Sequence, residues 1–322
     1  MSSTRFLIGF LVLAAFGAMA PFVGYPVFLM NALCFGLFAC AFNLLLGYTG
    51  LLSFGHAAFL GSAGYAAGYA VKVLGLTPEL GIILGTAVSA ALGFVVGSIA
   101  IRRQGIYFAM ITLALAQMVY FICLQAKFTG GEDGMQGVPR GSLLGLIPLD
   151  NDLVMYYFVL AIFLAGFLLI YRTVHSPFGQ VLKAIRENEP RALSLGYDVD
   201  RYKLLAFVLS AALSGTAGAT KTLVNRLASL TDVNWPMSGE VVLMTLLGGL
   251  GTIFGPLAGS FLIVGLQNQL ADAVGSWVQV IMGVIFVVCV LLFRRGIVGE
   301  LSAFYKKHPF LDRNAGAGKT AL

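Results

Sequence analysis

Residues 45–55 read L-L-G-Y-T-G-L-L-S-F-G, and residues 246–255 read L-L-G-G-L-G-T-I-F-G. In both stretches glycines interrupt an apolar run, and the gap before Phe-Gly is one residue longer in the first. Because glycine weakens a helix, each stretch is predicted to separate two helical segments. Paired interruptions are typical of internal repeats whose discontinuous helices meet near the middle of a membrane. A chance match among the 40 glycines of the chain is the alternative.

A break in a helix leaves backbone N–H and C=O groups unpaired, and lipid offers them no hydrogen bonds. Such backbone belongs inside protein or beside a water-filled path. The predicted breaks therefore mark where a path through the protein is expected. They are defined by six glycines and one proline: Gly47, Gly50, Gly55, Gly248, Gly251, Gly255 and Pro256.

The composition places the chain in a membrane. Of its 322 residues, 59% are hydrophobic and 11% are charged, whereas an ordinary soluble domain has about 25% charged residues. We expect an all-α polytopic membrane protein with about 9–10 transmembrane segments. The net charge of +6 is explained by cytoplasmic Lys and Arg rather than by nucleic-acid binding. The four cysteines lie in apolar runs without zinc-site spacing, so no metal site is expected.

Nine apolar stretches are long enough to cross a bilayer. The first ends near Ala18-Met19-Ala20, which resembles a signal-peptide cleavage site. Pro21 directly after this site argues against cleavage, so the stretch is expected to remain as the first span. The predicted spans are 5–23, 26–46, 57–74, 80–101, 106–125, 153–171, 204–223, 240–270 and 277–293.

Loop charges set the orientation. Basic residues concentrate at 102–103, in the loop 172–203 and in the tail from residue 294, and they place these segments and both termini in the cytoplasm. The acidic loop 127–152 then faces outward. If 240–270 crossed only once, the basic tail would lie outside, so this stretch must cross twice or re-enter. We expect a transmembrane domain over 1–305, with the cytoplasmic loop 172–203 within it, and a disordered basic tail over 306–322.

Within the loop 172–203, residues 176–196 read S-P-F-G-Q-V-L-K-A-I-R-E-N-E-P-R-A-L-S-L-G. Ser176 and Pro177 predict a helix start, and the spacing of apolar residues from Phe178 to Ile185 predicts one apolar face. Pro190 ends this helix, and a second short turn ends at Gly196. This docking segment is either a contact surface for a soluble partner or a basic loop lying on anionic headgroups.

Polar residues inside predicted spans are the candidates for a translocation path. Ser53 and His56 lie at the first break, where free backbone amides could meet a substrate carboxylate. Glu240 could meet an ammonium group, or it could occupy a favourable helix start. A structural hydrogen bond is the alternative for His56, and helix-to-helix ties are the alternative for the others. The full candidate set is Asn43, Ser53, His56, Thr112, Gln117, Glu240 and Thr245.

Five stretches together resemble one family. They are 43–64 (N-L-L-L-G-Y-T-G-L-L-S-F-G-H-A-A-F-L-G-S-A-G), 103–117 (R-Q-G-I-Y-F-A-M-I-T-L-A-L-A-Q), 129–139, 177–218 with K-A-I-R-E-N-E, and 247–259 (L-G-G-L-G-T-I-F-G-P-L-A-G). The chain is similar to the M-type permease subunits of branched-chain amino acid ABC transporters, the high-affinity leucine, isoleucine and valine importers. The likeness runs over most of residues 30–295.

This resemblance implies the partners: a second permease subunit, two cytoplasmic ABC ATPase subunits, a periplasmic substrate-binding protein and membrane lipid. The chain would be no enzyme and bind no cofactor itself, since ATP and Mg would sit on the ATPases. It would lie in the bacterial inner membrane and translocate branched-chain, hydrophobic amino acids. Related permeases serve urea, short amides or aromatic acids. An ion-coupled secondary transporter is the alternative from another class, because broken helices suit it equally.

The resemblance also assigns the docking segment to contact with an ATPase. One departure concerns its second half, where relatives tend to carry an Ala-rich run and this chain has Pro190-Arg191-Ala192-Leu193-Ser194. The contact helix is therefore expected to be shorter or bent. The implied contact residues are Phe178, Gly179, Lys183, Arg186, Glu187, Glu189, Arg191 and Gly196.

Overall fold

The computed structural model describes residues 3–22, 24–143 and 145–277, with scattered positions as far as Gly296. Eleven α-helices lie within these ranges. They are α1 (Ser3–Met19), α2 (Pro26–Thr49), α3 (His56–Lys72), α4 (Pro78–Ala100), α5 (Ile106–Gln125), α6 (Asp152–His175), α7 (Pro177–Glu187), α8 (Glu189–Ser194), α9 (Val199–Asn225), α10 (Trp235–Gly248) and α11 (Gly255–Val274).

Short strands connect the helices at one end of the bundle. The antiparallel pairs are β1 (Met135–Gln136) with β4 (Leu227–Ala228), and β2 (Ser142–Leu143) with β3 (Ile147–Pro148). Among the described helices, α2, α4, α5, α6 and α9 are long and apolar enough to cross a membrane. The prediction of an all-α polytopic membrane protein is confirmed. The structure describes only scattered positions of the predicted last span, 277–293, and the tail 306–322 lies outside the described residues.

Helix α2 is the centre of the bundle. Of its most apolar window, 83% of the residues are buried, compared with 28% for α5. It packs against α6, α9, α10 and α11. Small residues allow close contact among α3, α4 and α9. A Cβ on Gly218 would lie only 1.9 Å from the Leu60 carbonyl oxygen, and one on Gly85 only 2.6 Å from that of Ala63.

The first break is an extended segment that runs into the interior of the bundle. Helix α2 ends at Thr49, Gly50 has a left-handed φ of 77°, and α3 begins only at His56. The His56 Nε2 lies 2.9 Å from Ser210 Oγ. Ser210 is about 16 Å along α9 from Val199, at about 1.5 Å per residue. Helix α3 therefore starts opposite the middle of α9, as a discontinuous helix.

The second break is a tight turn between antiparallel helices. Gly248 lies against Gly255, and a Cβ on Gly259 would be 1.9 Å from the Met244 carbonyl oxygen. The stretch 240–270 is therefore two helices, and the chain turns back at residues 249–254. Gly296 lies against Gly249, so the chain returns to this same end after α11. This double passage agrees with the loop charges, which require that 240–270 does not cross only once.

Helix α10 also begins inside the bundle. Its first-turn Ser238 Oγ accepts a hydrogen bond from Ala57 N at 2.9 Å, so α10 starts level with the start of α3. Both helices thus begin near mid-depth, and the prediction of discontinuous helices is confirmed. The glycines of the two breaks, in contrast, meet at the α7 end of the bundle. The first break lies at this end because α2 stays helical for 24 residues, which is long enough to cross the whole membrane before the glycines are reached.

Candidate functional site

The docking segment is two short helices held by side-chain caps. Ser176 Oγ accepts from Gly179 N at 3.4 Å, and Pro177 occupies the first turn of α7. Asn188 separates the helices, and its Oδ1 accepts from Arg191 N at 3.0 Å. The sequence predicts that Pro190 causes this break, whereas in the structure the Asn188 side chain also caps α8. An Asn two residues before a Pro was the available signal.

The docking segment packs on the ends of the long helices. Leu182 and Ile185 are buried, and Ile185 joins Ala192 and Val199 in a small apolar cluster. Helix α7 contacts α2, α6 and α9. Gly179 is buried against the end of α6, where a Cβ would lie 2.3 Å from the Val174 carbonyl oxygen. A displacement of the docking segment would therefore also displace the ends of these three long helices.

Arg186 reaches from α7 to both glycine breaks. Its Nη1 donates to the Gly47 carbonyl oxygen near the end of α2. A Cβ on Gly50 would lie 3.3 Å from the Arg186 Cγ, and one on Gly251 would lie 3.4 Å from Nη1. The guanidinium thus meets carbonyl-rich backbone at the C-terminal end of α2, where a helix attracts positive charge.

Asn43 joins the two breaks to each other. Its Nδ2 donates to the Thr252 carbonyl oxygen at 2.8 Å, and its Oδ1 accepts from Gly251 N at 3.0 Å. The contact is close because a Cβ on Gly47 would lie 2.8 Å from Gly251 N. Helix α2, the 249–254 turn and Arg186 therefore form one hydrogen-bonded junction, which we name the glycine junction.

A second anchor joins α8 to α9. The Glu189 Oε1 accepts from Lys203 Nζ at 2.6 Å and from Gln104 Nε2 at 2.9 Å. Lys203 is only 3% exposed, while Glu189 is 23% exposed. Gln104 lies between α4 and α5, so this anchor connects the docking segment to a different group of helices from the one that Arg186 contacts.

The implied ATPase-contact residues divide into two groups. Five contact the chain's own helices: Phe178, Gly179, Lys183, Arg186 and Glu189. The Phe178 ring stacks on the Tyr202 ring at a centroid distance of 5.6 Å, and the Lys183 Nζ lies 5.7 Å from the Tyr48 ring centre. Glu187, Arg191 and Gly196 are exposed, and Arg186 is exposed as well although it donates to Gly47.

Among the path candidates, His56 is completely enclosed. It is 0% exposed and meets the rings of Phe42, Phe59 and Phe207 edge to face. Ser210 Oγ donates its single hydrogen to the Ala41 carbonyl oxygen at 2.6 Å, so His56 Nε2 must be the donor to Ser210. This arrangement is a structural tie among α2, α3 and α9.

The hydroxyl candidates satisfy backbone at the breaks. Ser53 Oγ accepts from Gly55 N at 3.1 Å, and Thr112 Oγ1 accepts from Phe54 N at 3.2 Å. The Thr245 hydroxyl donates within α10 to the Val241 carbonyl oxygen. All three hydroxyl residues are buried. Of the seven candidates, only Gln117 and Glu240 are half-buried, so they alone keep part of their surface free within the described chain.

A charged cluster surrounds Glu240. Gln267 lies near its carboxyl group. Nearby, Lys221 pairs with Asp232 at 2.5 Å, and both side chains are almost buried. The Lys221 Nζ also lies 4.8 Å from the Phe35 ring centre. The sequence reasoning missed Asp232 because it lies in a loop that folds back into the bundle. Within the described residues, no group of three His, Cys, Asp or Glu side chains could hold a metal ion.

Comparison with known proteins gives the family. Residues 25–290 match the family described as "Branched-chain amino acid transport system / permease component". The high-affinity branched-chain amino acid transport system permease protein LivM of Salmonella typhimurium is 26% identical over 80% of this chain and 65% of its own length. The match therefore spans less than two thirds of that relative.

Two relatives from another organism also match. The probable branched-chain amino acid transport permease protein LivM of Methanocaldococcus jannaschii is 28% identical over 69% of this chain and 75% of its own length. The LivH protein of the same organism is 31% identical over 44% of this chain and 46% of its own length. No solved structure gives a significant match. This chain belongs to the family of branched-chain amino acid transport system permease components.

Proposed function

We propose that this chain is the membrane-spanning permease subunit of an ATP-driven importer for branched-chain amino acids. The names of the LivM relatives support this substrate class. The observation that carries the mechanism is the contact of Arg186 with both glycine breaks. It offers a direct route from a cytoplasmic segment to the discontinuous helices.

The remaining subunits follow from this role. A second permease pairs with this chain, and the occurrence of LivM and LivH in one organism supports two different permeases. Two cytoplasmic ATPases carry ATP and Mg, and a periplasmic binding protein delivers the substrate. The chain lies in the bacterial inner membrane with both termini in the cytoplasm, in agreement with its basic loops. It performs no catalysis and binds no cofactor.

Force passes through the docking segment. When the ATPases close, α7 moves and Arg186 carries the motion to the end of α2. Because Asn43 bonds to Gly251 and Thr252, the 249–254 turn moves with α2. The helices then rock around the path and open it to alternate sides. Gln117 and Glu240 are the side chains that we propose for substrate contact, because both are half-buried.

The main alternative concerns the cargo. Urea, short amides or aromatic acids would use the same helices, since a binding protein sets most of the specificity. Competition of labelled leucine uptake by each of these compounds separates the cases. Uptake blocked by isoleucine and valine, and not by urea or phenylacetate, supports the branched-chain assignment. The opposite result makes the branched-chain assignment wrong.

A second candidate function is ion-coupled secondary transport. The almost buried Lys221–Asp232 pair beside Glu240 favours it, because charged groups inside a membrane often mark ion paths. Transport by this chain with its partner permease, in vesicles with an ion gradient and without ATPases, would support this alternative. It would also overturn the ATP-driven proposal.

The decisive experiment compares Arg186→Gln with Arg172→Gln in the complete reconstituted transporter. The Arg186→Gln variant loses the charge-assisted hydrogen bond to the Gly47 carbonyl oxygen, and such bonds contribute about 1.5–3 kcal/mol. We expect ATP-driven uptake to fall by about tenfold or more while ATP hydrolysis continues. Arg172 is exposed in the last turn of α6 and lies outside the implied contact residues, so Arg172→Gln is the matched control, with near-normal uptake. Equal uptake in both variants would show that Arg186 does not transmit force.

A further inference from the structure

An apolar cavity of about 250 Å³ lies between α1, α2, α6 and α11. Its walls include Phe16 on α1, Leu33 on α2, Phe163 on α6 and Leu257 on α11. None of its lining residues belongs to the docking segment, and the proposed route of force does not pass through it. The occupant of this cavity has to be inferred from its shape, its chemistry and its surroundings.

Helix α1 touches the bundle at two glycines on either side of the cavity. A Cβ on Gly9 would lie 3.3 Å from the ring of Phe254, and one on Gly17 would lie 2.9 Å from a side chain of α6. The spacing from residue 9 to residue 17 is about 12 Å along a helix. Leu13 and Phe16 lie between these contacts and line the cavity. The gap is therefore shorter than half of the hydrocarbon core, which is about 30 Å thick.

The cavity offers water few hydrogen bonds. The one side-chain hydroxyl among its lining residues, that of Tyr156, already donates to the Gly17 carbonyl oxygen at 2.6 Å. A buried water needs about two to four polar partners, and apolar cavities that lack them stay dry. An empty space of this size would deprive every side chain that faces it of dispersion contacts. The occupant is therefore expected to be apolar.

One side of the cavity opens to the surface that faces lipid. Phe16 lines the cavity and is also 73% exposed, and Ala258 of α11 lines it and is exposed as well. Leu11 and Val12, on the outer face of α1, are more than half exposed, as expected for side chains that meet acyl chains. Leu33, in contrast, is only 5% exposed, so a lipid can touch it only from inside the cavity. An acyl chain can thus enter from the bilayer between α1 and α11.

Tyrosines mark one end of the cavity as the membrane interface. Tyr156 and Tyr157 donate to the Gly17 and Ala18 carbonyl oxygens, near the C-terminal end of α1, at 2.6 and 3.2 Å. Tyr25, directly before α2, is 70% exposed. Tyrosine is enriched where the membrane meets water, at the level of the headgroups. A phospholipid whose headgroup lies at this level can place one of its acyl chains in the cavity.

We propose that the cavity between α1, α2, α6 and α11 binds one acyl chain of a membrane phospholipid. The chain fills the gap between the two contacts of α1, and it lies against Phe254 and Leu257, where the 249–254 turn leads into α11. It thereby supports the packing of the bundle beside the glycine junction. This inference goes beyond the proposed function and does not depend on the cargo or on ATP.

The test uses the complete transporter in nanodiscs that contain a phospholipid with a diazirine in one acyl chain. Illumination releases N₂, and the resulting carbene inserts into a neighbouring C–H bond, so mass spectrometry can locate the adducts. We expect adducts on Leu33 inside the cavity and on Val95, which is 55% exposed on α4. Adducts on Val95 without any on Leu33 would overturn the inference, because the cavity would then be empty or closed by a protein segment.

A variant that closes the cavity sharpens this test. Ala258→Phe places a ring at the opening, and it should reduce the adducts on Leu33 at least about tenfold while those on Val95 stay unchanged. Leu262→Phe is the matched control, since Leu262 lies one turn further along α11, is 38% exposed and is not among the lining residues. Equal labelling of Leu33 in the two variants would overturn the inference. Labelling of Leu33 by a diazirine fatty acid and not by the phospholipid would overturn the assignment to a phospholipid.

Discussion

At the scale of single residues, Gly47 is the point where α2 lies in close contact with the 249–254 turn. A Cβ there would lie 2.2 Å from Asn43 Oδ1 and 2.8 Å from Gly251 N. We predict that Gly47→Ala lowers the free energy of unfolding by about 1–3 kcal/mol, although Ala is the better helix former. The added methyl must displace Asn43 and break its bonds to the 249–254 turn. Thermal unfolding in detergent measures the loss.

The matched control is Gly239→Ala in α10, where a Cβ would meet nothing within 4 Å. It should leave stability unchanged or raise it by up to about 1 kcal/mol, the helix-propensity gain. Equal stability of the two alanine variants would contradict the close approach at Gly47.

Single residues were the hardest part to predict from the sequence. The glycines and Asn43 were recognised, because their types stand out in apolar runs. Their partners were not, since the contact from Asn43 to Thr252 spans more than 200 residues and depends on packing. The same holds for Glu189. The family resemblance implied an ATPase contact for it, while the structure gives it the buried Lys203.

At the scale of elements, the ion pair of Glu189 and Lys203 fastens α8 to α9. Breaking a fully buried pair costs about 3–5 kcal/mol. Because Glu189 is 23% exposed, we expect Glu189→Gln to cost less, about 1–3 kcal/mol. Limited proteolysis of the docking segment, which contains α8, should then be faster than in the wild-type protein.

The second variant in this test is Glu189→Gln combined with Lys203→Met. It removes the lone charge, so it should recover much of the protection from proteolysis. If the protease cuts the double variant as fast as Glu189→Gln alone, the ion pair does not hold α8 against α9.

Helix positions followed well from hydropathy, and α5 coincides with its predicted span, 106–125. The misses have electrostatic causes. Helix α9 begins at Val199 rather than at residue 204, because Asp198 caps it and Lys203 is neutralised by Glu189. Helix α10 begins at Trp235 rather than at 240, since Asn234 caps it inside the bundle. Apolar periodicity alone carries no signal for such starts.

At the scale of the whole molecule, both the charge pattern and the proposed mechanism depend on how the chain is oriented in the membrane. The 249–254 turn lies against Arg186, so it must face the same side as the docking segment. Ser194 and Leu250 are exposed and suit labelling from that side, whereas Leu146 belongs to the acidic loop on the other side. Single-cysteine variants at these three positions therefore test the double passage of residues 240–270.

We predict that an impermeant maleimide labels Leu146→Cys in intact cells, and labels Ser194→Cys and Leu250→Cys only after permeabilisation. Both loops around Arg186 would then be cytoplasmic, where an ATPase can reach the docking segment and move the glycine junction. Labelling of Leu250→Cys alone from outside would separate the turn from Arg186 and break the route for force. Labelling of Ser194→Cys from outside would place the docking segment beyond the reach of any cytoplasmic motor. Because ATP acts only inside the cell, that result would exclude this route of energy input whatever the substrate.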